Sequence, residues 1–138
     1  MADALLQRFV ERVDQMFDDI QRRIKSLSIA TLTDLLLHIV DDLHGEGAAI
    51  RALLEAHADW SAKRQEFRRR MRRRVAETLT LRNPRLDSTI ARNMAAILLQ
   101  NMKMAGVLRG ELQGEALNGA LAELREMTRL YLAAKLRD

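Results

Sequence analysis

The fold is decided by residues 88–108, whose sequence is STIARNMAAILLQNMKMAGVL. Asp87 or Ser88 is a suitable N-cap, so this stretch predicts a helix that runs to about Leu108. Apolar residues lie on nearly every side of that helix, at Ile90, Ala91, Met94, Ala95, Ile97, Leu98, Leu99, Met102, Ala105 and Leu108. Such a helix must be covered all round, and a small domain supplies only part of that cover. The remainder has to come from another chain or from a ligand.

Outward from this helix, the rest of the chain also predicts helices, about six in all, forming one domain with one core over residues 1–138. Proline occurs once and glycine six times, and such sparse punctuation favours long helices. Thr31 with Asp34 resembles a capping box, and Asn83-Pro84 is a helix breaker. No stretch alternates as a strand does, so the predicted class is all-α. The predicted helices cover about residues 3–26, 32–43, 48–58, 60–82, 88–108 and 115–136.

The first predicted helix carries a single apolar stripe and its own charge pairs. Asp18 and Asp19 stand four residues before Arg22 and Arg23, a spacing that favours ion pairs within one helix. The last predicted helix has one apolar face made of Leu117, Leu121, Leu124, Met127, Leu130 and Tyr131.

Composition excludes several classes of protein. Hydrophobic residues make up 48% of the chain and charged residues 30%, a balance typical of a folded domain. Cysteine is absent, so there is neither a disulfide framework nor thiol chemistry, which fits the reducing cytoplasm. No uninterrupted apolar run approaches the roughly 20 residues that a membrane span needs. The sequence therefore favours a cytoplasmic protein that has no membrane partner.

Motifs for catalysis are missing from the sequence. It has no nucleophile elbow, no HExxH and no phosphate-binding glycine loop. His38 and Asp42 have the spacing of two metal ligands on one helix, but no third ligand is obvious, and a hydrogen-bonded surface pair is the better interpretation. We therefore expect no enzymatic activity, no cofactor and no metal.

A run of arginines marks the predicted helix at about 60–82. We interpret the run chiefly as a solvated helix whose aliphatic stems lie on the surface, because Phe67, Met71 and Val75 keep one face apolar. Binding of nucleic acid or of an anion is the competing interpretation, but no aromatic residues interleave with the arginines to stack on bases. The run consists of Arg68, Arg69, Arg70, Arg72, Arg73 and Arg74.

The two ends of the chain carry a family resemblance. Asp3-Ala4-Leu5-Leu6-Gln7 opens the first helix, and the last helix contains LAELREMTRLYL at residues 121–132. With the helix order long, medium, short, long, long, long, these segments resemble the C-terminal effector-binding and dimerisation domain of TetR/AcrR-like transcriptional regulators. The aromatic residue and the lysine that precede the opening segment in that family are missing here. The resemblance implies that the helix-turn-helix head is absent or truncated.

The resemblance also implies a homodimer, in which the last two helices of each subunit form a four-helix bundle across a two-fold axis. The apolar helix at 88–108 supports this expectation independently, because a two-fold contact buries the same patch on both partners. The expected interface residues are Ile90, Ile97, Leu108, Leu121, Leu124 and Tyr131.

The same resemblance implies a pocket for a small, mostly apolar effector, with DNA contacted only through the missing head. The first helix, around Phe9–Phe17, would transmit occupancy of the pocket to that head. Ordinary core packing would account for the same apolar residues equally well. The expected pocket residues are Phe9, Met16, Phe17, Trp60, Phe67, Met71, Met94, Leu98 and Met102. The alternative from another class is a helical adaptor that binds a partner protein through an apolar groove.

Overall fold

The computed structural model describes residues 2–39, residue 52 and residues 61–137, with side chains from residue 4 onward. This part of the chain folds into α-helices with no strand, so the predicted all-α class is confirmed. The predicted short helix at 48–58 and the expected pocket residue Trp60 lie outside the described residues, apart from Ala52, which is helical. The helices are α1 (Ala2–Arg22), α2 (Ile29–His38), α3 (Ser61–Arg82), α4 (Ser88–Glu111) and α5 (Gly114–Leu136).

The ends of the helices follow from local capping. Asp87 caps α4, because its Oδ1 accepts hydrogen bonds from the backbone N–H groups of Thr89 and Ile90 at 2.8 and 3.2 Å. The predicted cap is thus confirmed, and α3 ends at Arg82, just before the predicted breaker Asn83-Pro84.

The predicted capping box at Thr31 and Asp34 is wrong. The N-cap of α2 is Ser28, whose Oγ accepts the backbone N–H of Thr31 at 3.1 Å. Asp34 points away from the helix start and accepts two hydrogen bonds from Arg125 of α5, from Nε at 2.5 Å and from Nη2 at 3.1 Å. The pattern was ambiguous because serine and threonine are both good caps and stand three residues apart.

All five helices contribute to one apolar core. α1 supplies every third or fourth residue from Phe9 to Ile20, as its sequence pattern predicts, although it ends at Arg22 rather than near residue 26, and Ile24 joins the core from the turn that follows. α4 supplies the face that contains Met94 and Leu98. The fully buried side chains of the largest volume are Phe17, Leu32, Leu36, Ile39, Met71, Leu79, Met94, Leu98, Leu132 and Leu136. Packing connects α3 with α4, α2 with α5, α4 with α5, α1 with α3, and α2 with α4.

A series of polar contacts, here named the α1/α3 polar ladder, joins α1 and the turn after it to α3. Its contacts advance along both helices in the same direction, so α1 and α3 run parallel. The spacing of about four residues between contacts is one helical turn. The ladder joins Asp14 to Arg70, Asp18 to Arg74, Gln21 to Thr78, and Arg82 to the backbone carbonyls of Ile24 and Leu27.

Candidate interaction surfaces

Large apolar side chains are exposed in a regular pattern on α4. Ile90, Ile97 and Met104 are seven residues apart, and Val107 follows three residues later. Seven residues make two helical turns, so these side chains share one side of the helix. On α5, Met127 and Leu130 are exposed three residues apart. All six side chains are between 42% and 57% exposed, which is unusual for residues of this size.

The helices α4 and α5 form an antiparallel pair. Only residues 112 and 113 separate them. The Asn83 side chain, just before α4, donates a hydrogen bond to the carbonyl of Lys135, near the end of α5, at 3.2 Å. Further along the pair, Nδ2 of Asn101 donates to Oγ1 of Thr128 at 3.3 Å. Asn101 and Thr128 therefore mark the lines along which the two helices face each other.

The exposed residues of both helices lie on the same side of this pair. Each residue of an α-helix is rotated by about 100° around the helix axis from the one before it. Around the axis of α4, Ile97 and Met104 are therefore rotated from Asn101 by roughly 40° and 60° in one sense. Around the axis of α5, Met127 is rotated from Thr128 by roughly 100° in the same sense. The buried residues Leu98 and Leu132 lie on the opposite side of these two lines. In two antiparallel helices that face each other, rotation in the same sense leads to the same side of the pair. The exposed residues of both helices therefore lie on one surface, away from the core. We call this surface the α4/α5 apolar face; it consists of Ile90, Ile97, Met104, Val107, Met127 and Leu130.

The structure divides the expected interface residues into two groups. Ile90 and Ile97 lie on the α4/α5 apolar face, whereas Leu108, Leu121 and Tyr131 are half-buried. Leu124 is only 6% exposed and is already covered by its own chain. That all six meet a second copy stays a prediction.

Four members of the face were absent from the expected interface. The sequence contained a signal for Met104, since it continues the spacing of seven that starts at Ile90 and Ile97. Met127 and Leu130 were grouped with Leu124 as one face of the last helix, but α5 buries Leu124, Thr128, Leu132 and Leu136 and turns Met127 and Leu130 outward.

Most of the expected pocket residues share one cluster. Phe9, Phe17, Met71, Met94, Leu98 and Met102 belong to the buried core. Met16 and Phe67 are half-buried against it, and the ring centroids of Phe9 and Phe67 are 5.6 Å apart. Eight of the nine expected residues are therefore brought together, and Trp60 lies outside the described part of the chain. That they line an effector cavity stays a prediction.

The arginines of the run fall into two sets, those that pair with acids of α1 and those that do not. Arg70 and Arg74 point to α1, where Arg70 pairs with Asp14, and Nη2 of Arg74 lies 2.5 Å from Oδ1 of Asp18. The hydrogen bond to Asp14 is the main reason why the pKa of Arg70 is raised, and the charge of that carboxylate adds to it. The other arginines of the run do not take part in the α1/α3 polar ladder.

A surface groove lies along α3 and α4 and is here named the α3/α4 groove. Its volume is about 990 Å³, and among the described residues that line it four arginines accompany one carboxylate. Leu81, which is 45% exposed, and three alanines give it apolar walls. None of the eight expected pocket residues that the structure describes lines it. The groove is lined by Gln21, Arg69, Arg72, Arg73, Ala76, Glu77, Thr80, Leu81, Ser88, Ala91, Arg92 and Ala96.

Metal ligands and membrane spans are missing from the part of the chain that the structure describes. Across residues 2–39 and 61–137, no three histidine or acidic side chains are grouped as metal ligands would be. Asp42, the partner proposed for His38, lies outside those residues. None of the described helices combines the length and the apolar character that crossing a bilayer would need.

Comparison with known proteins adds no relative. No family model matches the chain, and neither a curated protein nor a solved structure is similar to it. The two surfaces described above therefore carry the functional interpretation.

Proposed function

We propose that this chain is a homodimerisation domain and that two copies meet through the α4/α5 apolar face. One observation carries the proposal: six large apolar side chains, each about half exposed, form one surface on the side of a helix pair that faces away from the core. Single exposed leucines are common on monomeric proteins, but a contiguous apolar surface on a helix pair is typical of an interface.

A second copy of the chain fits this surface by symmetry. A two-fold axis would place one antiparallel helix pair on another and complete a four-helix bundle. The spacing of seven residues between Ile90, Ile97 and Met104 suits the packing of knobs into holes, with helices crossing at about 20°. Asn93 and Gln100 are exposed between these residues, and polar side chains at such positions favour one register over others.

Within this proposal, the resemblance to TetR/AcrR-like regulators suggests that the dimer senses a small apolar effector in the cytoplasm. Two structural facts support that extension. Eight of the nine expected pocket residues share one cluster, and Phe9 and Phe17 of α1 both belong to it. A ligand that bound one arrangement of α1 better than another would shift the population between them. Its differential affinity would set how strongly an attached DNA-binding head responds.

The second candidate function is a helical adaptor for a partner protein. The observation that favours it is the combination of tightly buried side chains, such as Phe17 and Leu98, with an open α3/α4 groove. The two candidates differ in what covers the α4/α5 apolar face. A dimerisation domain covers it with a second copy, whereas an adaptor keeps it free until another protein binds.

The test is the molar mass of the intact chain by light scattering after size-exclusion chromatography, over a hundredfold range of concentration. We expect twice the mass of one chain at high concentration. We expect Ile97→Lys with Met127→Lys to give one chain mass without loss of helical circular dichroism, because four buried ammonium groups per dimer are costly. Leu81→Lys is the control, since Leu81 is also a large exposed apolar side chain, at 45% against 57% for Ile97 and Met127, but lies off the face. A monomeric wild type, or a double variant that stays dimeric, would overturn the proposal.

A further inference from the structure

We propose that the α3/α4 groove binds a small anionic amphiphile, in which a carboxylate or phosphate headgroup is joined to a single apolar chain. The arginines would hold the headgroup, and the apolar walls would cover the chain. This site goes beyond the proposed dimer, because within the described residues it shares no side chain with the α4/α5 apolar face or with the expected effector pocket.

The described part of the chain neutralises little of the groove's charge. Within the described residues, Arg72 and Arg73 form no ion pair or hydrogen bond, although they stand next to Arg70 and Arg74, which do. Among these residues Arg69 pairs with Glu66 alone, at 3.8 Å between two exposed side chains, and such a contact is weak. Cations gathered without partners repel one another, and an oxyanion placed among them relieves that repulsion.

Arginine is also suited to this headgroup by its geometry. The guanidinium group is planar and presents a fork of N–H donors that matches two oxygens of a carboxylate or a phosphate. Arg92 of α4 adds a fourth cation opposite the three from α3. Among the described lining residues Glu77 is the single acid, so four arginines still face one carboxylate there.

The apolar walls of the groove favour a ligand that has an apolar chain as well as a charge. Leu81 is 45% exposed there, and the small side chains of Ala76, Ala91 and Ala96 leave room beside it. Arg73 and Leu81 are eight residues apart, or roughly 12 Å along the helix and about 80° around it, a distance that an extended hydrocarbon chain of moderate length spans. A bare inorganic anion would leave Leu81 in water. The volume of about 990 Å³ is at the upper end for pockets that hold small ligands.

Isothermal titration calorimetry on the intact chain tests the site, with dodecanoate and dodecyl phosphate as probes, each below its micelle concentration. Dodecanol tests the need for the charge, inorganic phosphate tests the need for the chain, and a short DNA duplex tests simple attraction to phosphates. We expect both anionic amphiphiles to bind about tenfold or more tightly than dodecanol, and inorganic phosphate and the duplex to bind more weakly.

Two variants locate the site. Arg72→Gln with Arg73→Gln should weaken dodecanoate about tenfold. Arg8→Gln with Arg68→Gln is the matched control, because it removes the same charge from exposed positions off the groove and should leave affinity within about twofold. Ala96→Phe should weaken binding without changing charge, since it fills the groove. Circular dichroism verifies that every variant is folded.

Several results would overturn the proposal: equal affinity for dodecanol and dodecanoate, equal effects of the two double variants, no effect of Ala96→Phe, or binding of duplex or phosphate as tight as that of the amphiphiles. Repeating the titration with Ile97→Lys and Met127→Lys separates the two proposals, because the groove should bind dodecanoate whether or not the chain dimerises.

Discussion

The α1/α3 polar ladder and the α4/α5 apolar face are both surfaces of paired helices, but only the ladder is covered by another helix of the same chain. In the ladder, four side chains of α3 contact α1 or the turn after it, from Arg70 with Asp14 to Arg82 with two backbone carbonyls. Among the described residues, Nε of Arg74 is the one buried side-chain nitrogen or oxygen that lacks a hydrogen-bond partner. The α4/α5 apolar face has large side chains and no cover within the described residues. The difference indicates which helix surfaces the chain satisfies alone and which it leaves for a second molecule.

Within α4, neighbouring residues differ in the same way, because one lies in the core and the next on the exposed face. Leu98 is 1% exposed in the core, whereas Ile97 is 57% exposed on the face. We expect Leu98→Ala to lower the free energy of unfolding by about 2–5 kcal/mol, because it leaves a cavity. Chemical denaturation at low protein concentration measures this.

Ile97→Ala is the matched change on the other surface. At low concentration it should change the free energy of unfolding by less than about 0.5 kcal/mol, while weakening association of the two copies. A loss from Ile97→Ala as large as that from Leu98→Ala, in the monomer, would mean that the face is packed within one chain.

We expect the next largest loss of stability from a change in the α1/α3 polar ladder. Asp14, whose side chain is 22% exposed, accepts hydrogen bonds from Arg70 of α3, so Asp14→Ala should cost about 1–2 kcal/mol of stability. Asp19 is the matched control, because its partners Arg22 and Arg23 are only three and four residues further on, at the end of α1 and just after it, and are solvated. Asp19→Ala should cost about 0.5 kcal/mol. Equal costs by thermal or chemical denaturation would show that the ladder does not connect the helices energetically.

The smallest effect is a titration on the exposed side of α5. The hydrogen bond that Arg129 donates lowers the pKa of Glu126 below its ordinary value of 4.5. A lowered pKa in the folded state adds stability that is present above the ordinary value and is lost as pH falls through the lowered one. Carboxyl NMR should give this lowered pKa, and Arg129→Gln should raise it. A Glu126 pKa unchanged by Arg129→Gln would contradict the ion pair.

The helix boundaries on either side of residues 83–87 were predictable from the sequence, because their causes lie within a few residues. Asp87 at the start of α4 and Asn83-Pro84 after α3 act on their own neighbours, so the helix ends there follow the prediction. The choice of partner was not predictable in the same way. Asp18 stands four residues before Arg22, yet it pairs with Arg74, which is 56 residues further on.

The same limit applies to the candidate surfaces. Periodicity indicated that the last helix is amphipathic, but it did not decide which of Leu124 and Met127 faces inward, because that depends on how α5 packs against α2 and α4. The arginine run likewise gave no sign that Arg70 and Arg74 would be paired while Arg72 and Arg73 would line a groove. Both distinctions are properties of the tertiary contacts.

NMR of the methionine methyl groups is the most direct test of the dimer, because methionines lie both on the α4/α5 apolar face and in the core. In a mixture of methyl-labelled and unlabelled chains, isotope-filtered NOEs report only contacts between two copies. We expect such NOEs at the methyl groups of Met104 and Met127, which are exposed on the α4/α5 apolar face, and none at Met71 or Met94 in the core. The absence of intermolecular NOEs at Met104 and Met127 at high concentration would contradict the account.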